Sequence, residues 1–402
     1  MNFITMNDNC PDRNSPAFVA TALLRYCHSQ NWTGYDPYDG LNSKIFQAFR
    51  FLHFKYPRLA FIQMMKRSPI NLRSLLLVPK TQNPKGIALF LTAIIKLYNL
   101  GLVHNDELID TLSKKLLSLA SLNDGCRAGW GYNFDWQART GFEPLGTPNI
   151  ICTTFAGNAL LDTYKHKPEP YLLKTAIDAA HYIKEHLYVE INESEAFFDY
   201  TPGDQKKIIP IHNANLLGAA FLARIVRETG QEDMLPKIIK AARFSAKCQH
   251  GDGSWDYGEC DWPSQRWIDN FHTGFNLCAF RCIGQDIGTS EFESNIIKGL
   301  DFYQRHFFSI NGMPYYYHDR RYPIDIHSSA QSIITLATLK DLGEDNIKLA
   351  NTVFDWTVSN MWNARGYFYF QKHPWWTIRI PYMRWNQAWM LLALATLEER
   401  RL

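Results

Sequence analysis

The stretch RYPIDIHSSAQSIITLATL, residues 321–339, joins a polar and aromatic loop to an almost wholly apolar helix. The same kind of junction occurs four more times, as GTPNIICTTFAGNALLD (146–162), KKIIPIHNANLLGAAFLARI (206–225), RWIDNFHTGFNLCAFRCI (266–283) and RIPYMRWNQAWMLLALATL (379–397). Steps of 59, 60, 55 and 57 residues separate five equivalent points, Thr153, His212, His272, His327 and Arg384. A fixed period of this length is typical of a repeat architecture. It predicts that one kind of loop recurs at one end of the molecule.

Composition is that of a globular chain with a large core. The chain has 402 residues, 46% of them apolar, and a net charge of +3. That charge is small and scattered, which argues against nucleic acid as a partner. Eight dispersed cysteines without a CxxC pair indicate reduced thiols in a cytoplasmic protein. The acidic N-terminus is not a signal peptide, and Lys96 and Asn99 interrupt the longest apolar stretch, so no transmembrane segment is expected.

Two kinds of helix alternate along the chain. Residues 211–226 and 383–397 are apolar around most of the helix, which indicates burial on nearly every side. Residues 170–187 and 345–361 carry an apolar stripe with the period of 3.6 residues and charges opposite it. Buried and half-buried helices in alternation predict two concentric rings, an inner barrel surrounded by an outer one.

The loops are asymmetric, and they complete the predicted fold. Inner-to-outer links are short, whereas outer-to-inner links run to 15–27 residues, a length that usually has a functional reason. Further inner helices are predicted to begin near Asn42 and Gly86, which gives six or seven hairpins. We therefore predict an all-α fold, an (α/α)6-7 toroid with aromatic-rich loops at one end. It forms one domain over residues 1–402, with less regular N-terminal hairpins in 1–85 and regular repeats in 86–402.

Aromatic residues are concentrated in these loops. At least nine of the twelve tryptophans lie there, Trp262 among them, and four loops repeat a Gly-(x)-aromatic-x-Tyr unit. A cleft lined with rings binds sugar faces or shields a carbocation. The competing interpretation is that each unit is a turn that plugs the end of a hairpin. The candidate sugar-binding rings are Trp130, Tyr132, Trp255, Tyr257 and Tyr369.

One loop carries a recognisable turn. QHGDGSW (249–255) resembles the QxxxGxW turn of squalene and hopene cyclases, and the hairpin period resembles their superfamily, which includes the protein prenyltransferases. The DxDD acid motif of the cyclases is absent from the chain, and the zinc signature of the prenyltransferases cannot be placed. A terpenoid cyclase activity is therefore a minor alternative.

Three longer strings carry a broader resemblance. GYDPYDGLNS (34–43), YYYHDRRYPIDIHSSAQ (315–331) and RWNQAWM (384–390) look like poorly characterised proteins of bacterial polysaccharide gene clusters. More distantly, the chain is similar to the toroidal domain of glucuronyl C5-epimerases. The first resemblance implies capsule, lipopolysaccharide or related glycan biosynthesis, and the second implies proton transfer at a uronate.

The densest group of chemically active residues is YYYHDRRYPIDIH (315–327), at the start of an inner helix. Histidines recur at the starts of successive inner helices, where a helix N-terminus favours an anion. The candidate catalytic residues are Tyr316, Tyr317, His318, His327, His272 and His212. The candidate substrate-binding residues, besides the five rings above, are Arg320, Arg321, Arg379, Arg384, Asn213, Asp325, Asp36 and Asp39.

Three chemistries fit these residues. Arginines with an Asn or His could neutralise a uronate carboxylate while a Tyr or His removes the proton at carbon 5, and two close arginines would favour a phenolate. Two carboxylates could instead hydrolyse a glycosidic bond, the candidates being Asp135, Asp256, Asp319 and Asp325. The three histidines could also converge on a metal, but their spacing around a ring disfavours it. No metal and no cofactor are expected.

The expected function is therefore modification of an anionic, uronate-containing bacterial polysaccharide or its precursor, by epimerisation or β-elimination. The alternative from another class is a glycan-binding or scaffold protein of a polysaccharide assembly system, and a glycoside hydrolase is a further one. The expected partner is an anionic oligo- or polysaccharide. A second copy of the chain or a member of an assembly complex is a further candidate partner.

Overall fold

The computed structural model describes residues 15–123, 127–138, 141–202, 209–259 and 266–401. Trp262 and Cys260 lie outside these ranges. Within them the chain forms fourteen α-helices: α1 (Pro16–Ser29), α2 (Lys44–Ala48), α3 (Lys55–Arg67), α4 (Pro84–Asn99), α5 (Asp106–Ser118), α6 (Ile150–His166), α7 (Pro170–Tyr182), α8 (His212–Thr229), α9 (Leu235–Lys247), α10 (Asn270–Ile287), α11 (Glu293–His306), α12 (Ile326–Thr338), α13 (Glu344–Met361) and α14 (Trp389–Arg401).

Six helices form a closed inner ring. Each packs on the next in the order α4, α6, α8, α10, α12 and α14, and α14 packs back on α4. The outer ring consists of α5, α7, α9, α11 and α13, each beside the inner helix before it, and of α1, which packs on α14. The first helix of the described chain thus completes the last hairpin. The prediction of an all-α toroid is confirmed, with six hairpins.

Four of the six inner helices begin at similar capping signals. Asn83, Asn149, Asp269 and Asp325 each accept a hydrogen bond from a backbone N–H in the first turn of the helix that follows. Such caps satisfy donors that a helix leaves unpaired at its start. The caps fix where these four helices start, and this matters because the start decides which side chains face the centre of the ring.

Short strands brace the long loops at this end of the ring. Four antiparallel pairs form there, together with one three-stranded sheet. Its order is β11 (Thr377–Ile378), β10 (Gln371–Lys372) and β7 (Ile324–Asp325), and it aligns Gln371 with both Ile378 and Asp325. The strands are β1 (Ser121–Asn123), β2 (Arg127–Gly129), β3 (Trp136–Gln137), β4 (Phe142–Glu143), β5 (Tyr188–Glu190), β6 (Ala196–Phe198), β7 (Ile324–Asp325), β8 (Trp362–Asn363), β9 (Tyr367–Phe368), β10 (Gln371–Lys372) and β11 (Thr377–Ile378).

The QHGDGSW turn joins two outer helices. The side-chain amide of Gln249 donates to the carbonyls of Gly253 and Asn295, and the indole N–H of Trp255 donates to the carbonyl of Ser245. Trp255 is 2% exposed and packs where Gly299 leaves room for its ring. This turn therefore holds the end of α9 against α11, which is a packing role.

Residues 34–81 form a lobe on the loop end of the ring, which we call the N-terminal lobe. It contains α2, α3 and two short 3-10 turns, and it has a small core of its own built on Leu41, Phe46 and Ile62. Asn42, where the sequence suggested an inner helix, lies in a 3-10 turn of this lobe. Of the two hairpin counts that the sequence left open, six holds, because 44–48 is a single helical turn that does not form part of the ring.

One buried ion pair fastens the lobe to the ring, and a second one lies within the lobe. Arg384, in the π-helical turn Met383–Ala388 before α14, donates two hydrogen bonds of 2.6 and 2.8 Å to the carboxylate of Asp36. Arg73 donates to Asp39 at 2.6 Å and to the carbonyl of Asp36 at 2.8 Å. Asp36 and Asp39 were predicted to bind substrate; the structure corrects this, because both carboxylates are buried against arginines of the chain itself.

No described helix is long and apolar enough to cross a membrane.

Replacing Arg73 by Met should destabilise the protein through the charge left on Asp39. Burial raises the pKa of Asp39 to about 6 even with Arg73 beside it. We expect a loss of about 3–5 kcal/mol at about pH 8, measured by denaturant unfolding, because removing one partner leaves a buried charge unpaired. The loss should shrink towards about pH 5, where Asp39 is protonated in the folded protein. Lys348→Met, which removes an exposed pair with Asp345, is the control and should change little. Equal losses for both variants would contradict the prediction.

Candidate active site

The second residue of every inner helical segment faces the centre of the ring. Side chains at this position all line one cavity, whose volume is about 260 Å³. Successive residues of a helix point about 100° apart, so equivalent positions in a closed ring of parallel helices share one inward direction. The six residues are Lys85, Ile151, Asn213, Phe271, His327 and Arg384.

Aromatic rings form most of the remaining wall. The other lining residues are Tyr38, Tyr132, Phe134, Trp136, Tyr200, Leu217, Tyr257, Trp267, His272, Phe275, Tyr316 and Trp385. Within the described part of the chain this lining includes a lysine, an arginine and two histidines but no carboxylate. Rings of this kind stack on sugar faces, and the cations favour a negatively charged group.

His327 lies in an aromatic cage and is 2% exposed. Its ring stacks on Phe271 with centroids 4.5 Å apart, and the rings of Trp385 and Trp389 each lie 4.6 Å away. Burial, assisted by the nearby cations Lys85 and Arg384, holds the pKa of His327 well below its usual range. Neither ring nitrogen has a hydrogen-bond partner in the described part of the chain. His327 is therefore a neutral imidazole that is available to bond with a ligand or to accept a proton.

His272 is oriented by a carboxylate. Its Nδ1 lies 2.6 Å from Oδ2 of Asp269, a buried residue that also caps α10 and accepts a 2.7 Å hydrogen bond from the indole of Trp267. An Nδ1–H that donates to a carboxylate leaves Nε2 as the ring atom for acid–base work. His272 lines the cavity beside His327, so two imidazoles with different surroundings share one space.

Lys85 brings an unusual charge to the cavity. It is 4% exposed, and no described residue makes an ion pair or hydrogen bond with its ammonium group. The Nζ atom lies over the rings of Phe155 and Trp389, 4.6 and 4.9 Å from their centroids. Burial, followed by the repulsion of Arg384, lowers the pKa of Lys85 to about 7. A lysine in this state gains much from an anionic ligand.

Arg384 is positioned rather than unpaired. Although burial opposes a charged form, the Asp36 carboxylate raises the pKa of Arg384 above its usual value. The guanidinium lies 5.3 Å from the centroid of Trp385 and 5.4 Å from that of Tyr132. Its positive charge is therefore permanent, and its place at the cavity wall depends on the N-terminal lobe.

The tyrosines of the cavity are phenols. Burial raises the pKa of Tyr316 well above its ordinary value, and burial also raises that of Tyr317. The expectation that two arginines favour a phenolate here is wrong, because burial outweighs the attraction of Arg320, which stacks 4.4 Å from the ring centroid of Tyr317, and both Arg320 and Arg321 are exposed. Tyr316 lines the cavity, whereas Tyr317 does not. Tyr316 is suited to donating a hydrogen bond to a sugar oxygen.

His212 faces away from the cavity, because it is the first residue of its helix and the inward position falls to Asn213. Its Nδ1 and Nε2 lie 3.0 Å from Ser245 and 2.9 Å from Glu259. The potential metal-ligand atoms of His212, Cys248 and Glu259 lie within 4.8 Å of one another. Within the described residues, this is the group that has the composition and spacing of a metal site. Both ring nitrogens are already bonded within the protein, so the arrangement is a His–Glu pair beside a thiol.

Other predicted site residues serve the framework. Trp130 is completely buried and donates its indole N–H to the carbonyl of Leu116. Asp325 is buried, caps α12 and accepts hydrogen bonds from Gln371 and Trp385. The structure corrects the assignment of Trp130, Trp255 and Asp325 to substrate binding, since their side chains have no surface to offer to a ligand.

The rest of the predicted set lies in loops beside the cavity without lining it. His318 interacts with the carbonyl of Ile268, Arg320 pairs with the exposed Asp319, and Arg379 lies 5.4 Å from the ring centroid of Tyr369. Tyr369 in turn accepts a hydrogen bond from Asn363. The predicted residues that do line the cavity are Tyr132, Asn213, Tyr257, His272, Tyr316, His327 and Arg384.

The four candidate carboxylates of a hydrolase do not meet in the cavity. Asp135 accepts hydrogen bonds from the Leu145 backbone and Gln47, and Asp256 lies 3.8 Å from His250. Asp319 is exposed, and Asp325 is the buried cap described above. None of the four lines the cavity, so they do not flank a bound sugar there.

Sequence reasoning missed Lys85, Trp267 and Phe271, and it left Asp269 out of the predicted site. A signal for Lys85 was present. A cation in the first turn opposes the helix dipole, and Lys85 follows the Asn-Pro start of a helix that is otherwise apolar over most of its length. A lysine that is unfavourable for the helix dipole and for an apolar core indicates a functional role for its side chain.

Comparison with solved structures agrees on the fold. The cellobiose 2-epimerase of Bacillus thermoamylovorans B4167 is 11% identical, with a TM-score of 0.64, and the alignment covers 80% of this chain and 88% of that one. The unsaturated glucuronyl hydrolase of Bacillus sp. GL1 is 12% identical, with a TM-score of 0.61, and covers 94% and 95%. The GH76 α-mannanase BT2949 of Bacteroides thetaiotaomicron is 12% identical, with a TM-score of 0.58, and covers 79% and 87%.

This chain is an α/α toroid. The toroidal fold, predicted from the period of the hairpins, is confirmed by these neighbours. No protein-family model and no curated protein sequence matches the chain. At such low identity the likeness concerns the fold, and the chemistry must be argued from the toroid's own cavity.

Lys85→Met should change how stability depends on pH. The unfolded chain keeps the Lys85 proton up to about pH 10.5, whereas the folded toroid releases it near pH 7. The unfolded state therefore binds more protons between these values, so the free energy of unfolding of the wild type increases as pH rises. We expect the variant to be more stable than wild type at about pH 6, by a few kcal/mol at most. That advantage should decline towards about pH 10, as measured by urea unfolding; parallel curves would contradict the prediction.

Proposed function

We propose that the toroid is a carbohydrate-active enzyme that moves a proton at a carbon beside a carboxylate, and that its substrate is a uronate-containing oligo- or polysaccharide. The observation that carries this proposal is the pair of cavity imidazoles, His327 without a partner and His272 held by Asp269. Epimerisation and β-elimination both begin with removal of such a proton. They fit a cavity with histidines and cations better than one with paired carboxylates.

The two histidines have distinct roles in this scheme. His327 is in its neutral form, and its ring nitrogen, free within the described residues, accepts the proton from the sugar. Asp269 orients His272 through its Nδ1, and His272 delivers a proton to the opposite face in an epimerisation. In the reverse reaction the two roles exchange.

The cations stabilise the intermediate. Removal of the proton places negative charge on the oxygens of the sugar carboxylate, and preorganised positive groups lower the energy of that state. Lys85 and Arg384 both line the cavity, and Lys85 has no counter-ion in the described chain. The resemblance to proteins of polysaccharide gene clusters and to glucuronyl C5-epimerases supports a uronate as the substrate. Two structural neighbours are a sugar epimerase and a glucuronyl hydrolase, which agrees with a sugar ligand.

Loss of either histidine should abolish proton exchange. We expect His327→Asn and His272→Asn each to lower solvent deuterium incorporation into a uronate oligosaccharide by about 100-fold or more. Asp269→Asn should lower it by up to about 10⁴-fold while leaving the cap of α10 in place. His166→Asn, at the opposite end of α6, is the control. The measurement is NMR of the label at the carbon beside the carboxylate, with ultraviolet absorbance reporting an elimination product.

Two outcomes would contradict the proposed function. Release of reducing ends without label at that carbon would indicate a hydrolase. Glycan binding by the wild type with no turnover, unchanged in His327→Asn, would favour a glycan-binding or scaffold protein, a function that the aromatic wall of the cavity also fits.

Binding of a uronate should weaken as pH rises through 7. A bound carboxylate favours the charged form of Lys85, whose pKa in the empty cavity is about 7. The affinity should therefore be greatest below pH 7 and should fall by up to about tenfold for each unit above it. Lys85→Met should bind more weakly below pH 7 and lose most of this dependence, as measured by calorimetry. The matching neutral glycoside is the control, and an equal pH dependence for it would contradict a role for Lys85.

A further inference from the structure

The outer surface of the N-terminal lobe is unusually apolar for a surface. Sixteen large hydrophobic residues are exposed in the described chain, and nine of them fall between residues 45 and 77. Phe51, Tyr56 and Leu75 are each more than 70% exposed, at 71%, 75% and 74%. The other six are Ile45, Phe49, Phe54, Met64, Ile70 and Leu77. Exposed apolar groups in such density usually mark an interaction surface.

The segments that carry these apolar side chains pack against one another. Phe46 stacks on Phe61 of α3 and on His53, with centroids 4.6 and 5.6 Å apart, which joins α2 to the loop and helix that follow. The backbone N–H of Lys44 donates to the carbonyl of Leu77, which brings the end of the lobe beside its beginning. In α3 the residues Tyr56, Ala60, Met64 and Arg67 are exposed at helical spacing and form its outward face.

From Gly40 onwards the same lobe carries basic but no acidic residues. No Asp or Glu occurs between Gly40 and Asn105, whereas residues 44–80 contain eight lysines and arginines. Five of these are exposed, and none of the five forms an ion pair with a described residue: Lys44, Arg50, Lys55, Arg67 and Lys80. On other faces of the ring, Lys174, Lys240 and Lys348 each pair with an acid.

We propose that this face of the N-terminal lobe docks on the surface of a membrane that contains anionic phospholipids. Exposed rings and aliphatic side chains enter the boundary between headgroups and acyl chains, while unpaired bases bind the negative headgroups. A second copy of the chain fits less well, because two such faces would bring like charges together without an acid to separate them. Protein partners also fit less well, since lysine is depleted in protein interfaces.

The lobe that carries the proposed docking face also contributes to the cavity. Tyr38 belongs to the lobe and lines the cavity, and Lys66 of α3 donates a 2.7 Å hydrogen bond to its hydroxyl. Arg384, on the cavity wall, is bound to Asp36 of the same lobe. A membrane at the outer face would therefore lie at the loop end of the toroid, beside the cavity. A sugar chain carried on a lipid would meet the site from that side.

The test is cosedimentation of the full chain with vesicles. Vesicles of phosphatidylcholine with about one third phosphatidylglycerol should bind the protein, and those of phosphatidylcholine alone should bind it weakly. High salt should release it, because screening shortens the reach of the bases. The double variant Phe51→Ser/Tyr56→Ser and the triple variant Lys44→Gln/Lys55→Gln/Arg67→Gln should each lower the partition coefficient by roughly tenfold or more.

Matched controls lie on other faces of the ring. Ile297→Ser/Ile310→Ser removes two other exposed apolar side chains, and Lys174→Gln/Lys240→Gln/Lys348→Gln removes three bases. Both controls should bind anionic vesicles as the wild type does, and circular dichroism should show every variant folded. The proposal is overturned if the folded wild type ignores anionic vesicles, or if the lobe variants bind as well as the controls. It is also overturned if Phe51→Ser/Tyr56→Ser instead abolishes a dimer seen by analytical ultracentrifugation.

Discussion

The bidentate ion pair between Asp36 and Arg384 is the interaction on which the site most depends. It joins the N-terminal lobe to the turn before the last inner helix, across almost the whole length of the chain. Both side chains are 4% exposed, so neither has water as an alternative partner. The pair places a permanent positive charge at the cavity wall, and that charge in turn helps to lower the pKa values of Lys85 and His327. Ring closure and the electrostatics of the cavity are thus parts of one arrangement.

The cavity is defined as much by the sign of its charges as by its shape. Cations and imidazoles lie among aromatic rings, and the carboxylates nearby are already bonded to protein groups: Asp36 to Arg384, Asp269 to His272, and Asp325 to Trp385 and Gln371. These carboxylates orient side chains and do not line the cavity. Such a division of labour suits proton transfer next to a carboxylate, because the developing negative charge meets positive groups that are already in place.

Part of the candidate site could be predicted from the sequence. His272, His327 and Arg384 were found because they recur near the start of a periodic apolar helix. Trp130 and Trp255 were misassigned, because a tryptophan in a loop looks the same in sequence whether its indole bonds to a ligand or to a backbone carbonyl. His212 was misplaced by a single position, since one residue turns a side chain by about 100° around the helix.

The sequence by itself determined the ring. The period of the junctions, the alternation of two helix types and the unequal loops are local properties that an apolar chain expresses in only a few ways. Only the tertiary structure decided which side chains meet at its centre, that the first described helix pairs with the last, and that residues 34–81 form a lobe rather than a hairpin. Those outcomes depend on the exact start of each helix and on contacts between residues hundreds of positions apart, such as Asp36 with Arg384. Neither leaves a periodic signal in the sequence.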